Sequence, residues 1–384
     1  MTEEEKEKLI QFCRDLVKIR SYDGEEGLVV ERIEKEMRAL GYDDILIDKS
    51  GSIIGVLGNG ENKYLFDSHI DTVEVMNEHD WTYPPFGAEI HDGRLYGRGA
   101  SDMKGSAAAS IYAGAIMKKQ GLLKNKTIYI CCSALEENFD GEGLYSAITE
   151  NNLKLDGVII CEPTHLKISL GQRGRSIFKI TTKGISSHGA APEKGVNAVY
   201  KMAKIITAIE NLNKQFEAIG DWHPTIVLSK IESREVSLNA VPDLCSVYLD
   251  FRTTMDEPEE IQINYINSLV EGTDAEWEIL DVEGTSYLGN PVVLHSILPA
   301  WEIAPDNIMV KSMDKAYEEC FGKEPEHYRW DFSTNGVATA GKLGIPTIGF
   351  GAGLEKQAHQ TDEYCPVEDI WKACEFYCKF VENL

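Results

Sequence analysis

Apolar runs of strand length alternate with segments of helical period over residues 1–163 of this chain. Thr2 with Glu5 makes a capping box, after which Leu9, Phe12, Cys13, Leu16 and Val17 recur at helical spacing. A second helical pattern spans 25–40 and is closed by Gly41. Strands are expected near 44–48, 53–57, 63–70, 126–134 and 155–163, with helices over 105–119 and 144–150. Continuous apolar runs separated by helices build an α/β sheet covered on both faces. The texture then changes. "SIFKITTKG" (176–184), "TIVLSKIES" (225–233) and "CSVYLDFRTT" (245–254) alternate, with helices over about 194–218 and 257–270. This is a small α+β unit with one polar sheet face. After about residue 290 the α/β texture returns, with helices at 307–320, 335–342 and 367–382 and the strand "IPTIGF". The arrangement expected is a discontinuous larger domain, 1–175 and 291–384, with a domain of 176–290 inserted. A chain of 384 residues suits two domains, since single cores stop growing at roughly 250–300 residues.

Composition removes several function classes. The net charge is −25 and no Lys/Arg stripe is present, which argues against nucleic acid and anionic membranes as partners. "MTEEEKEKLIQF" has no basic segment leading into an apolar one, and no stretch of 18 apolar residues follows, so a cytoplasmic protein is expected. Cys131, Cys132 and Cys161 lie in apolar runs and no CxxC pair occurs, so the nine cysteines read as buried free thiols. "GFGAG" (349–353) lacks the spacing of a phosphate loop.

Chemistry-bearing residues gather where the strands end. In "FDSHIDTVEV" (66–75), Asp67, His69 and Asp71 share one strand face because side chains two apart point the same way. Alone, such a trio is either a satisfied polar cluster or part of a site. Other runs end similarly. Asp102 closes the Gly-rich "GRGASDMKG", Glu136 and Glu137 follow the 126–134 run, Glu162 follows 155–161, and His359 follows a strand and a loop. In a parallel sheet the carboxyl ends of strands line one edge, so residues far apart in sequence can meet there. Two imidazoles and several carboxylates without thiolate suit zinc or another first-row divalent ion. The neighbours Glu136 and Glu137 diverge, so one can bind metal while the other acts as base. Asp67 reads as a solvated carboxylate or a helix-dipole contact.

Taken in order, "SHIDTV", "GRGASDMKG", "ALEEN", "CEPT", "SSHGAAPEKGVNA", "NAVPD", "DFRTT" and "AHQTDEY" resemble the M20 metallopeptidases, relatives of acetylornithine deacetylase, succinyl-diaminopimelate desuccinylase, aminoacylase and glutamate carboxypeptidase. The resemblance covers nearly the whole chain. It implies a mixed-sheet α/β catalytic domain with two Zn²⁺ (Co²⁺ or Mn²⁺ as substitutes) and an inserted ferredoxin-like α+β lid through which two copies dimerise. By the same resemblance, Asp102 bridges the metals, His69 and Glu162 complete one, and Glu137 and His359 complete the other. Glu136 matches the general base and Asp71 the carboxylate that orients His69. His188 matches a lid histidine that crosses the dimer interface to stabilise an oxyanion, and Asn239 and Arg252 match residues that hold substrate. A plain surface pair of Asp250 with Arg252 is the simpler reading of that strand face. The resemblance also implies a cis peptide between Asp102 and Met103. "GQRGR" (171–175) and "FSTNGVATAGKLGIPTIGFGAG" are similar to a narrower branch, the selenium-metabolism-linked hydrolases. The function expected is hydrolysis of a small N-acyl or N-carbamoyl amino acid or dipeptide by a metal-activated hydroxide with Glu136 as base. A C–N hydrolase of a non-peptide catabolite of purine or amino-acid breakdown uses the same residues. A non-catalytic binding protein would have lost some of them.

Overall fold

The computed structural model of the protein describes residues 1–235 and 237–384. It divides into two compact units, one of residues 1–172, 283–294 and 302–384, the other of 173–282 and 295–301. The chain therefore passes between the units four times. The extra crossing pair arises because the two-residue strand Ile297–Leu298 pairs with Gly174–Lys183. Two residues carry no periodicity, so the alternation in the sequence gives no sign of it.

The larger unit is built on a mixed sheet. Its strands run in the order Asp44–Ile47, Ile53–Gly58, Lys126–Ser133, Asn62–His69, Gly157–Ile160, Thr347–Gly349 and Ile168–Gln172, with His327–Trp330 also on the last. Four central strands are mutually parallel, because Asn62–His69 pairs with Lys126–Ser133 and with Gly157–Ile160, which in turn pairs with Thr347–Gly349. All eight residues of Lys126–Ser133 are buried, as its apolar run requires. The Ala-rich helix Gly105–Lys119 packs close to the sheet at Gly114, where a Cβ would collide with Leu57 and the Tyr42 hydroxyl. Under the sheet, Phe66 meets Tyr377 and Phe380 edge-on at 5.2 and 6.4 Å, and Phe350 stacks on Phe376 at 3.7 Å. Each such ring contributes about 1.5–3 kcal/mol by leaving water.

The helix expected over 335–342 is present as the short π-helix Val337–Lys342, preceded by Asn335, whose side chain bonds to Asp67 in the sheet. The short strand Ile168–Gln172, not expected from the sequence, is almost wholly buried. The nine cysteines are free, and all but Cys320 are buried. Among the described residues no helix is long and apolar enough to cross a membrane.

The smaller unit is an antiparallel sheet in the order Thr225–Arg234, Leu244–Thr253, Gly174–Lys183, Glu276–Ile279. Gly174–Lys183 alternates between buried and partly exposed residues. Phe178, Ile180, Val247, Leu249 and Phe251 form a core with Met202, Ile205 and Ile209 of helix Ala198–Glu217 and Ile266 of helix Glu259–Val270. Asn197 caps the first of these helices by accepting from Val199 and Tyr200 N–H.

Candidate metal centre

The parallel strands point their carboxyl ends at one edge, and His69 is the last residue of its strand there. Its Nε2 lies 2.9 Å from Asp102 Oδ1, 3.7 Å from Glu162 Oε1 and 3.9 Å from Glu136 Oε2. His359 Nε2 lies 3.0 Å from Glu137 Oε2 and 3.4 Å from Asp102 Oδ2. Asp102 thus sits between two imidazoles, one facing each of its oxygens. Two sets, His69–Asp102–Glu137 and His69–Glu136–Glu162, each bring donor atoms within 4.8 Å of one another. His69, Asp102, Glu136 and Glu162 are buried, while the His359 side chain is half exposed.

Local backbone delivers these groups. Leu135 adopts a left-handed φ of 67°, as does His359 at 62°, conformations uncommon for residues other than glycine. The turn at Leu135 sends Glu136 toward His69 and Glu137 toward His359. The Asp102–Met103 peptide is cis. The loop before it is anchored by Glu363, which is fully buried and accepts from Arg98 Nη1 (2.6 Å) and from the N–H groups of Gly99 (3.1 Å), Ser101 (2.8 Å) and Asp102 (3.0 Å). Fully buried Lys104 donates to the carbonyls of Leu16 and Ile19, at 3.1 and 2.7 Å, so the loop is also tied to the end of the first helix. The Glu363–loop tie was not foreseen. Its only sequence signal is its place four residues after His359.

Electrostatics mark the cluster as short of positive charge. Burial pushes the carboxyl groups of Glu136 and Glu162 well above the usual range. Burial opposes charge on His69, but Glu136, Glu162 and Asp102 outweigh it and hold the imidazole well above its ordinary value. Burial also works against the Asp102 carboxylate, and hydrogen bonds from His359 and His69 overcome it and lower its pKa. Hydrogen bonds to Asp102 and Glu137 raise His359 to about 10. Four carboxylates around two imidazoles, all oxygen and nitrogen donors, fit divalent metal.

Asp71 faces the Nδ1 side of His69 as expected, with its backbone carbonyl at 3.1 Å and its carboxylate Oδ1 at 3.7 Å. Asp67 is not solvated. It is buried and accepts from Asn335 Nδ2 at 2.8 Å, a residue far away in sequence, and burial lifts its pKa to about 6.

The model for peptidase family M20/M25/M40 matches residues 65–383. The chain belongs to this family. An uncharacterized protein YgeY of Escherichia coli (strain K12) is 36% identical over 370 residues, covering 95% of this chain and 90% of that protein. A succinyl-diaminopimelate desuccinylase of Ehrlichia canis (strain Jake) is 27% identical, covering 85% and 83%. Among solved structures, an M20 family metallo-carboxypeptidase, Sso-CP2 from Sulfolobus solfataricus, has a TM-score of 0.77 at 19% identity, covering 100% and 99%. The Bacillus subtilis YXEP protein, described as a dinuclear metal binding peptidase, has a TM-score of 0.73 at 14% identity, covering 100% and 98%. As an M20 member the chain is a metal-dependent amidohydrolase or peptidase acting on amide bonds.

The remaining M20-matched residues lie in the smaller unit. His188 is exposed and forms a β-bridge with Ala240, and Gly189 N–H donates to the Asn239 carbonyl at 2.6 Å, so His188 and Asn239 sit on adjacent backbone. The Arg252 guanidinium meets Asp250 along one edge in a bidentate pair, Nε to Oδ1 at 2.6 Å and Nη2 to Oδ2 at 3.0 Å.

Glu363→Ala should destabilise the protein by about 3–5 kcal/mol, because Arg98 and three backbone donors lose a buried acceptor. Glu363→Gln, which keeps one acceptor oxygen, should lose less. Denaturant unfolding checks this, and an alanine variant as stable as the parent would contradict the anchoring role.

Proposed function

We propose that this M20 protein holds two zinc ions per chain and hydrolyses the amide bond of a small N-acyl or N-carbamoyl amino acid or a dipeptide. The observation that carries the reading is Asp102, whose two oxygens face two different imidazoles. Asp102 would bridge the two ions, His69 and Glu162 would complete one site, and Glu137 and His359 would complete the other. Zinc there would supply Lewis acidity, activating a water and polarising the amide carbonyl, and cobalt or manganese would substitute. The relative named as a succinyl-diaminopimelate desuccinylase supports an N-acyl amino acid as the substrate class.

Glu136 is the carboxylate left over, 3.9 Å from His69 Nε2 while its neighbour Glu137 meets His359. It takes a proton from the attacking water as the C–O bond forms, then delivers it to the nitrogen as the C–N bond breaks. Asp71, with its carbonyl on His69 Nδ1, keeps Nε2 turned to Asp102.

The smaller unit serves as lid and dimer contact in this proposal. Ala190 N–H donates to His188 Nδ1 at 3.0 Å, which leaves the ring proton on Nε2, the donor that an oxyanion requires. Asn239 and Arg252 hold the substrate, with Asp250 keeping the guanidinium fork in place. Thr225–Arg234 is an edge strand of its sheet among the described residues, with most residues exposed. Pairing of two such edges in a symmetric dimer would cover them and present each His188 to the opposite site.

Glu136→Gln should lower kcat by about 10²–10⁴-fold on a responsive substrate from an N-acyl, N-carbamoyl and dipeptide panel, while metal content stays unchanged. Near-normal turnover would remove Glu136 from the role of base. For His188, inactive His188→Ala protein is mixed with inactive Glu136→Gln protein under conditions of subunit exchange. Activity should return in part, because a mixed dimer holds one site with both residues intact. Demonstrated exchange without recovery, or an active monomer, would refute action across the interface.

A further inference from the structure

On the Nδ1 side of His69, away from Asp102, three more carboxylates crowd together. Asp23, Glu26 and Asp71 each place an oxygen within 4.8 Å of the others. Glu26 and Asp71 are fully buried and Asp23 is partly so. Each is tied by one oxygen to a single turn, the one that carries Glu136 and Glu137. Leu135 N–H donates to Glu26 Oε1 at 3.2 Å, Glu137 N–H donates to Asp71 Oδ2 at 2.8 Å, and Asn138 Nδ2 donates to Asp23 Oδ2. The second oxygen of each, Asp23 Oδ1, Glu26 Oε2 and Asp71 Oδ1, is buried and meets no donor. A buried carboxylate oxygen without a donor is costly, and three ionised carboxylates packed together repel one another.

We propose that these three carboxylates bind a third cation, a hard divalent ion of the calcium type, separate from the pair around Asp102. Oxygen-only carboxylate donors suit hard ions such as calcium or magnesium. Their oxygens lie within 4.8 Å of one another, close enough for the three carboxylates to share one ion at a Ca–O distance of roughly 2.4 Å. Two of the donors come from one short stretch, "YDGEEG" (22–27), in which Gly24 takes a left-handed φ of 76° and lets the chain turn so that Asp23 and Glu26 meet. The third comes from the segment behind His69. Bound there, the ion would lock the turn bearing Glu136 and Glu137 to the back of His69. It therefore braces the catalytic groups without touching substrate. The inference rests on this cluster alone and stands whichever amide the enzyme cleaves.

The test is calorimetric titration of zinc-loaded full-length protein with CaCl₂, with MgCl₂ in a parallel arm, alongside Tm measured at rising cation concentration. One calcium ion per chain should bind in addition to the zinc, more tightly than magnesium, and Tm should rise with calcium concentration. Asp23→Asn should weaken calcium binding by about tenfold or more with zinc content unchanged. Absence of any heat or Tm response up to about 10 mM calcium would overturn the proposal. So would magnesium binding more tightly than calcium, or an Asp23→Asn protein that binds calcium like the parent. A variant that is more stable than the parent, with neither protein responding to cations, would show instead that the carboxylates share a proton.

Discussion

The arrangement of Asp102 between His69 and His359 sets the terms for the rest of the larger unit. A buried carboxylate survives only where positive charge or strong donors face it, and here two imidazoles do so from opposite sides. Glu136, Glu137 and Glu162 then add negative charge that two imidazoles cannot balance. Such a concentration makes physical sense as a receptacle for divalent metal.

Parallel strands solve the delivery problem. They bring His69, the Leu135 turn and Glu162 to one edge, although more than ninety residues separate the first from the last. The other two ligand-type residues come from loops, and those loops are fastened by buried charges. Glu363 gathers four donors around the approach to Asp102, and because it lies close to His359 in sequence, one side chain ties both loops together. Lys104 fixes the far side of the same loop to the end of the first helix. Burial lowers the Lys104 ammonium pKa to about 7, the cost of placing a fixed donor inside the core.

Much of this was legible in the sequence where local pattern carries the information. Period-two spacing put His69 and Asp71 on one strand face, and apolar runs ending in acids marked Glu136 and Glu162. The Ala-rich stretch fixed the helix Gly105–Lys119 to the residue. Contacts between distant segments were not legible. Asp67 looked solvated because nothing nearby reveals Asn335, which reaches it from 268 residues away. Glu363 and the Asp23–Glu26 pair passed unnoticed for the same reason, since acidic residues are common and only the fold shows which of them are buried. The helical pattern of 335–342 was legible too, although nothing in it distinguishes the π-helix Val337–Lys342 from an α-helix.

Anomalous diffraction at the zinc edge from crystals of zinc-loaded protein tests directly whether the carboxylates and imidazoles around Asp102 form one receptacle for two metals. Two peaks about 3.5–4 Å apart are expected, on either side of the Asp102 carboxylate. A single peak, or two peaks that do not share Asp102, would contradict it.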